Sequence, residues 1–239
     1  MILFQILIFF ISIVLISLSI SGYGRVIDLN TKKNFFLDIF LGFIIISFII
    51  TFLHFFLKIN LSISFLIFIF GILVFFFKEN KSLLKLFKTR NIFFLIIIFL
   101  FIPIFISQKY HEDFGYYHLP YIVNFTNEKI IFGIGNVNDG FVHNSIWLNI
   151  LSVFYIKNNF NFVTLPSFLI YFTFLIYSIN QIFFHKKYSN SNYFLVVCVF
   201  YLILKFTRIS EYGNDIPALI YSIFAIFFFL KYNEEDDLE

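Results

Sequence analysis

Long runs of apolar residues, separated by short polar segments, extend along almost the whole chain. Most runs approach the roughly 20 residues that an α-helix needs to cross the hydrocarbon layer of a bilayer. They lie at about residues 1–20, 36–57, 60–77, 91–107, 162–183, 193–207 and 216–231. The pattern predicts an all-α polytopic membrane protein with about seven transmembrane helices.

Composition and charge indicate the same class of protein. Of the 239 residues, 60% are hydrophobic and 13% are charged, whereas a soluble domain carries about 25% charged residues. The net charge of +3 fits basic cytoplasmic loops and gives no reason to expect a nucleic-acid partner. The first apolar run lacks the basic start and small-residue cleavage site of a signal peptide, which predicts a retained span.

The distribution of lysine and arginine predicts which loops lie in the cytoplasm. Residues 78–90, KENKSLLKLFKTR, carry five basic residues against one acid, and short basic loops stay in the cytoplasm. This loop closes an amino-terminal part at 1–90, and the more acidic segment after residue 107 is then predicted on the outer face. The last residues, NEEDDLE at 233–239, are interpreted as a disordered acidic tail.

A shorter apolar segment at 144–156, NSIWLNILSVFYI, leaves two topologies open. As a helix it places Ser145, Asn149 and Ser152 on one stripe, which favours an amphipathic helix lying in the membrane interface. In that case residues 208–215 return to the outer face. If the segment crosses the membrane instead, residues 208–215 lie in the cytoplasm.

Carboxylates in two polar segments, HEDFGYYH at 111–118 and RISEYGND at 208–215, are the candidates for chemistry. Asp113 is a candidate general base for an acceptor hydroxyl. Glu211 and Asp215, at the i and i+4 spacing of a helix, are candidate oxygen ligands of a divalent metal such as Mg²⁺ or Mn²⁺. For any single acid the alternative is a solvated loop charge.

Cations and turn residues complete the polar inventory. Arg208 and Lys205 are candidate phosphate ligands, because cations on the outer face run against the usual charge distribution. Asp139 is interpreted as a turn residue, since glycine and asparagine surround it. His54 is the only ionisable residue well inside a predicted span.

Three segments taken together, DFGYYHLPYI, EKIIFGIGNVNDGFVHNSIWLN and ISEYGNDIPALIY, resemble a group of bacterial multi-spanning proteins. In that group a D-x-x-x-YH motif is followed by a glycine-rich segment and then by an Asn-Ser pair. The order of features from about 91 to 231 resembles the GT-C superfamily of membrane glycosyltransferases, which use polyprenyl-phosphate-linked sugars. The resemblance covers roughly the last 150 residues.

The resemblance implies a GT-C-like module at 91–232 with outer loops at 108–161 and 208–215. Its implied activity is transfer of a sugar from a lipid-phosphate donor to a cell-envelope glycan or lipid, on the outer face of the bacterial inner membrane. The implied site residues are Asp113 and Glu112 for catalysis, Tyr117, His118, Asn144 and Arg208 for substrate binding, and Glu211 and Asp215 for metal or donor phosphate. Residues from Pro120 onward and 144–156 match juxtamembrane amphipathic helices.

The sequence departs from the GT-C pattern in one respect, and two other functions stay open as alternatives. GT-C enzymes have further spans beyond the point where this sequence stops, which predicts a fragment, a split gene or a partner subunit that supplies a missing carboxy-terminal half. A transporter or flippase for lipid-linked glycans predicts charges near span midplanes and internal repeats, and neither is seen. The short length favours a third alternative, a non-catalytic membrane assembly subunit.

Overall fold

The computed structural model describes residues 2–27, 34–78, 89–107, 113–137, 139–142, 145–157, 159–184, 189–207 and 212–236. Within these ranges the chain is helical and contains no strand, so the prediction of an all-α fold is confirmed. The α-helices are α1 (Ile2–Gly24), α2 (Phe35–His54), α3 (Leu61–Lys78), α4 (Thr89–Ile106), α5 (Leu119–Asn127), α6 (Ile146–Val153), α7 (Leu165–Phe184), α8 (Asn190–Leu204) and α9 (Asp215–Asp236).

Five helical stretches are long and apolar enough to cross a membrane. They are Phe4–Gly24, Phe35–His54, Leu61–Lys78, Phe160–Phe183 and Asp215–Glu234. Two shorter apolar helices, Ile96–Ile106 and Asn190–Leu204, fall in the other two predicted runs. The 15 residues of α8 rise only about 22 Å, less than the roughly 30 Å of hydrocarbon. Among the described residues, five of the expected seven spans are therefore candidates by both length and apolar composition.

Helix α7 is the centre of the bundle. Its most apolar window is 83% buried inside the protein, whereas the corresponding windows of the other four long helices are between 22% and 39% buried. The four outer helices therefore carry large exposed apolar side chains, such as Phe48 on α2 and Phe65 on α3. Exposed apolar faces of this kind are what a lipid environment requires.

Glycines bring α1 into close contact with α2 and α3. A Cβ atom at Gly42 of α2 would collide with the backbone carbonyl of Ile20 in α1, and one at Gly22 of α1 would collide with the carbonyl of Gly71 in α3. The hydroxyl of Tyr23 donates to an α3 carbonyl at 2.7 Å across the same contact. Small residues allow this approach of helix backbones, which membrane proteins use in place of a hydrophobic driving force.

The prediction of a disordered acidic tail is wrong for residues 233–236, because α9 continues to Asp236. The Glu234 carboxylate accepts hydrogen bonds from the backbone amide of Ser191, at 3.0 Å, and from its hydroxyl, at 2.6 Å. The first-turn amides of a helix have no partner within the helix, so this carboxylate caps the start of α8. Residues 237–239 lie outside the described residues.

Helix α6 has only eight residues, which rise about 12 Å, so the segment 144–156 does not cross a membrane. Every residue from Trp147 to Val153 is buried. The Asn149 side chain donates to the Thr51 hydroxyl of α2 at 3.0 Å. Asn149 of the polar stripe therefore contacts protein, and the location of this helix in the membrane interface stays a prediction.

The connection between α2 and α3 contacts the end of α5 and the residues that follow it. The amide of Ile59, between α2 and α3, donates to the Phe125 carbonyl of α5 at 2.9 Å, and the Ile130 amide donates to the His54 carbonyl at 3.1 Å. The buried His54 ring lies 3.0 Å, through Nε2, from the Glu128 carbonyl. His54 is thus the last residue of α2, where it holds a loop, and not a residue of the span interior.

Helices α7, α8 and α9 alternate in direction. The Tyr171 hydroxyl, in the first half of α7, donates to the Leu202 carbonyl at the end of α8 at 2.7 Å. The start of α8 lies against the end of α9 through Ser191 and Glu234. Residues 212–214 therefore return to the end of the bundle that holds Asp113, as expected if 144–156 does not cross.

Candidate functional site

A single turn of π-helix, Phe114–His118, forms the first wall of the site. It is closed by a hydrogen bond from the Leu119 amide to the Phe114 carbonyl and continues directly into α5. The proline in the first turn of α5 is tolerated because that position needs no amide hydrogen. Wide turns of this type often occur at functional sites, and this one begins directly after Asp113.

Two aromatic rings join this turn to the segment that precedes α9. Phe114 and Tyr212 stack with ring centroids 4.0 Å apart and an interplanar angle of 26°, and both side chains are buried. A third segment joins them, because the Asn214 amide group donates to the hydroxyl of Ser145 at 3.4 Å. These two contacts join residues that lie about 100 and 69 positions apart in the chain.

The three segments enclose a cavity of about 390 Å³ at this end of the bundle. Its lining is polar and aromatic, and consists of Asp113, Tyr116, Tyr117, His118, Asp139, Gly140, Ser145, Leu148 and Asn214. Three residues predicted from the sequence, Asp113, Tyr117 and His118, are in this set. A concave site of this volume is typical of small-molecule binding.

The Tyr117 hydroxyl is influenced by carboxylates from both polar segments, 111–118 and 208–215. Burial raises the pKa of Tyr117, and the negative charges of Asp113 and Asp215 raise it further, because a phenolate would be repelled by both. Tyr117 therefore stays neutral and keeps its hydrogen as a donor. Asp113 and Asp215 also lie within electrostatic reach of one hydroxyl, and their roles remain predictions.

The other predicted site residues do not line the cavity or lie outside the described residues. Asp215, the first residue of α9, does not line the cavity. Glu112, Asn144, Arg208 and Glu211 lie outside the described residues. Among the described residues, no three His, Cys, Asp or Glu side chains are grouped to hold a metal, and the Mg²⁺ or Mn²⁺ site stays a prediction. Asp113 and Asp139 supply hard oxygen ligands of the type such ions prefer.

Asp139 is the main residue that sequence analysis missed. It begins the 3₁₀ turn Asp139–Val142, as its glycine and asparagine neighbours suggest, but the turn lies on the cavity. The Tyr121 hydroxyl of α5 donates to the Phe141 carbonyl at 2.7 Å, and the two rings pack edge to face at 5.0 Å. The available signal is an acid directly before a glycine within a segment that the family resemblance singles out.

The helices and the cavity define an all-α membrane protein with several spans and one polar cavity, built from three connecting segments at one end of the bundle. The model of the family described as "Domain of unknown function (DUF8201)" matches residues 1–239, and the chain belongs to this family. Neither the curated proteins nor the solved structures contain a significant match to it.

Proposed function

We propose that the cavity is the active site of a GT-C-type glycosyltransferase of the cell envelope, acting on the outer face of a bacterial inner membrane. The supporting observation is that Asp113, the acid of the D-x-x-x-YH motif, lines a polar and aromatic cavity into which Asn214 of the second outer segment also reaches. The donor in this proposal is a sugar linked to a polyprenyl phosphate.

The proposed reaction is a displacement at the anomeric carbon of the donor sugar. The acceptor hydroxyl attacks this carbon, its proton passes to the Asp113 carboxylate, and a new glycosidic bond forms. The bond from the anomeric carbon to the phosphate oxygen breaks, and polyprenyl phosphate leaves with the bonding electrons. The Tyr117 hydroxyl, within the electrostatic influence of Asp113, stays neutral, and in this proposal it donates a hydrogen bond to a substrate oxygen.

The outer-face assignment is tested by labelling single cysteines with a membrane-impermeant maleimide in whole cells. In a Cys198→Ser background, Val137→Cys lies near the cavity at a side chain that is 84% exposed, and Asn233→Cys lies at the opposite, exposed end of α9. We expect Val137→Cys to react in intact cells and Asn233→Cys to react only after lysis. The reverse pattern would place the cavity in the cytoplasm.

The transferase activity is tested with membranes of the native host that contain the full product of its gene. They are supplied with radiolabelled glucose, mannose or galactose linked to undecaprenyl phosphate. We expect one of these donors to be consumed, with release of undecaprenyl phosphate and incorporation of label into envelope material, and deletion of the gene to remove this activity. Consumption at the same rate in wild-type and deletion membranes, for every donor, would contradict the proposed function.

A further inference from the structure

We propose that the cavity binds a neutral sugar ring and excludes phosphate, and that the Asp139 carboxylate holds this ring by accepting hydrogen bonds from its hydroxyls. Identification of the ring as the acceptor rests on the proposed function, but binding of the ring does not. The donor phosphate is then bound outside the cavity.

The charges around the cavity favour binding of a neutral sugar over binding of a phosphate. Among the described residues that line it there are two carboxylates, Asp113 and Asp139, and no lysine or arginine. Asp215 adds a third negative charge close to Tyr117. Beside these described side chains a phosphate would meet like charges at short range, and no lysine or arginine among them would offset its loss of hydration.

Hydroxyl groups match the same lining well. An ionised carboxylate is only an acceptor of hydrogen bonds, and each carboxylate offers two oxygens, so the ligand must supply the hydrogens. Ser145 and Asn214 provide further polar groups on the wall. His118 is the one lining side chain among the described residues that can carry a positive charge, and it is buried edge to face against Tyr117 at 4.3 Å.

Two tyrosine rings supply the apolar surface that a sugar ring requires. Tyr116 and Tyr117 lie with centroids 6.2 Å apart and ring planes at 87°, and both line the cavity. An aromatic side chain offers an apolar face together with a polar tip, which matches a ring that carries both C–H groups and hydroxyls. The volume of about 390 Å³ lies within the range of about 300 to 1,000 Å³ of small-molecule sites.

The turn that carries Asp139 is anchored before any ligand arrives. It is held to α5 by the hydrogen bond and the ring contact between Tyr121 and Phe141. The preceding turn packs on the next residue, Val142, where a Cβ atom on Gly135 would lie 3.1 Å from a methyl group. Anchoring of this turn reduces the backbone entropy that is lost when a ligand binds, which favours affinity.

The experiment measures binding to the purified full chain in lipid nanodiscs by tryptophan fluorescence. The chain contains a single tryptophan, Trp147, directly before Leu148 of the cavity lining. The probes are glucose, mannose, galactose and N-acetylglucosamine, then glucose, mannose and galactose 6-phosphates, and glucosamine as a cationic probe. We expect saturable binding of at least one neutral sugar and binding of its phosphate at least about tenfold more weakly, the cost of roughly one lost charged hydrogen bond.

Paired variants test the role of Asp139. Asp139→Asn is expected to weaken binding of the neutral sugar about tenfold and to reduce the discrimination against the phosphate. Glu128→Gln, an exposed acid in the same outer segment but off the cavity, is expected to change neither value. Equal effects of the two substitutions would overturn the assignment of Asp139.

Other outcomes decide between this inference and the proposed function. Tighter binding of a sugar phosphate than of the neutral sugar, binding of glucosamine alone, or no binding of any neutral sugar would overturn the inference. Saturable neutral-sugar binding without consumption of any lipid-linked donor would support the inference and contradict only the transferase. Donor consumption without neutral-sugar binding would support the transferase and overturn the inference.

Discussion

Asp113→Asn is expected to lower the rate of sugar transfer by about 10²- to 10⁴-fold, the usual contribution of a general base, while expression and membrane insertion stay unchanged. Asparagine has nearly the same shape as aspartate but cannot accept the proton of the acceptor hydroxyl. Release of undecaprenyl phosphate from the consumed donor, per amount of protein in the membrane, measures the effect.

Two further substitutions make this result specific. Glu128→Gln removes a carboxylate that lies 15 positions further along the chain and off the cavity lining, and it should retain the wild-type rate. Asp139→Asn should raise the KM for the acceptor more than it lowers kcat, because it removes binding and leaves the proposed base in place. If Asp113→Asn were as active as the wild type, Asp113 would be a structural residue of the cavity wall.

Gly42→Ala is expected to destabilise the folded protein by about 1–3 kcal/mol, the usual cost of overpacking. The new Cβ would collide with the Ile20 backbone carbonyl of α1, and no side-chain rotation relieves a clash with backbone. Alanine gains up to about 1 kcal/mol of helix propensity over glycine, which offsets only part of this cost. The melting temperature in detergent, followed by fluorescence-detected gel filtration, should therefore fall.

Gly115→Ala is the matched control for this substitution. Gly115 is also helical, within the π-helical turn, but a Cβ there would meet no atom within 4 Å. Its melting temperature should stay constant or rise slightly. Similar losses in both variants would mean that the close approach of α1 and α2 does not limit stability.

The sequence predicts the helices better than it predicts their surroundings. Apolar runs identify every long helix because a lipid-facing helix must be apolar along its whole length. The same rule fails for α6, where the apolar and polar residues from Trp147 to Val153 are all buried within the protein. Apolar runs also give no indication of the role of Glu234, because its carboxylate binds Ser191, which lies 43 positions away in the chain.

The sequence also predicts only part of the site. The motif with Asp113, Tyr117 and His118 is contiguous in the sequence, so a resemblance is enough to single it out. Asp139 and Asn214 join those residues only through tertiary contacts, the Tyr121 anchor and the stacking of Phe114 on Tyr212. Both lie in segments that the resemblance covers, but the local pattern around each is that of an ordinary turn and does not place it on the cavity.

The basic segment 78–90 separates two parts of the sequence, but these parts are not independent units that can be exchanged between proteins. The Thr51 hydroxyl of α2 accepts from Asn149 of α6, and the last residue of α2, His54, holds the Glu128 carbonyl. A chimaera that joined residues 1–90 of one family member to the remainder of another would have to match these pairs. Helices α2, α5 and α6 would therefore have to be transferred together, as one block, to keep these two contacts.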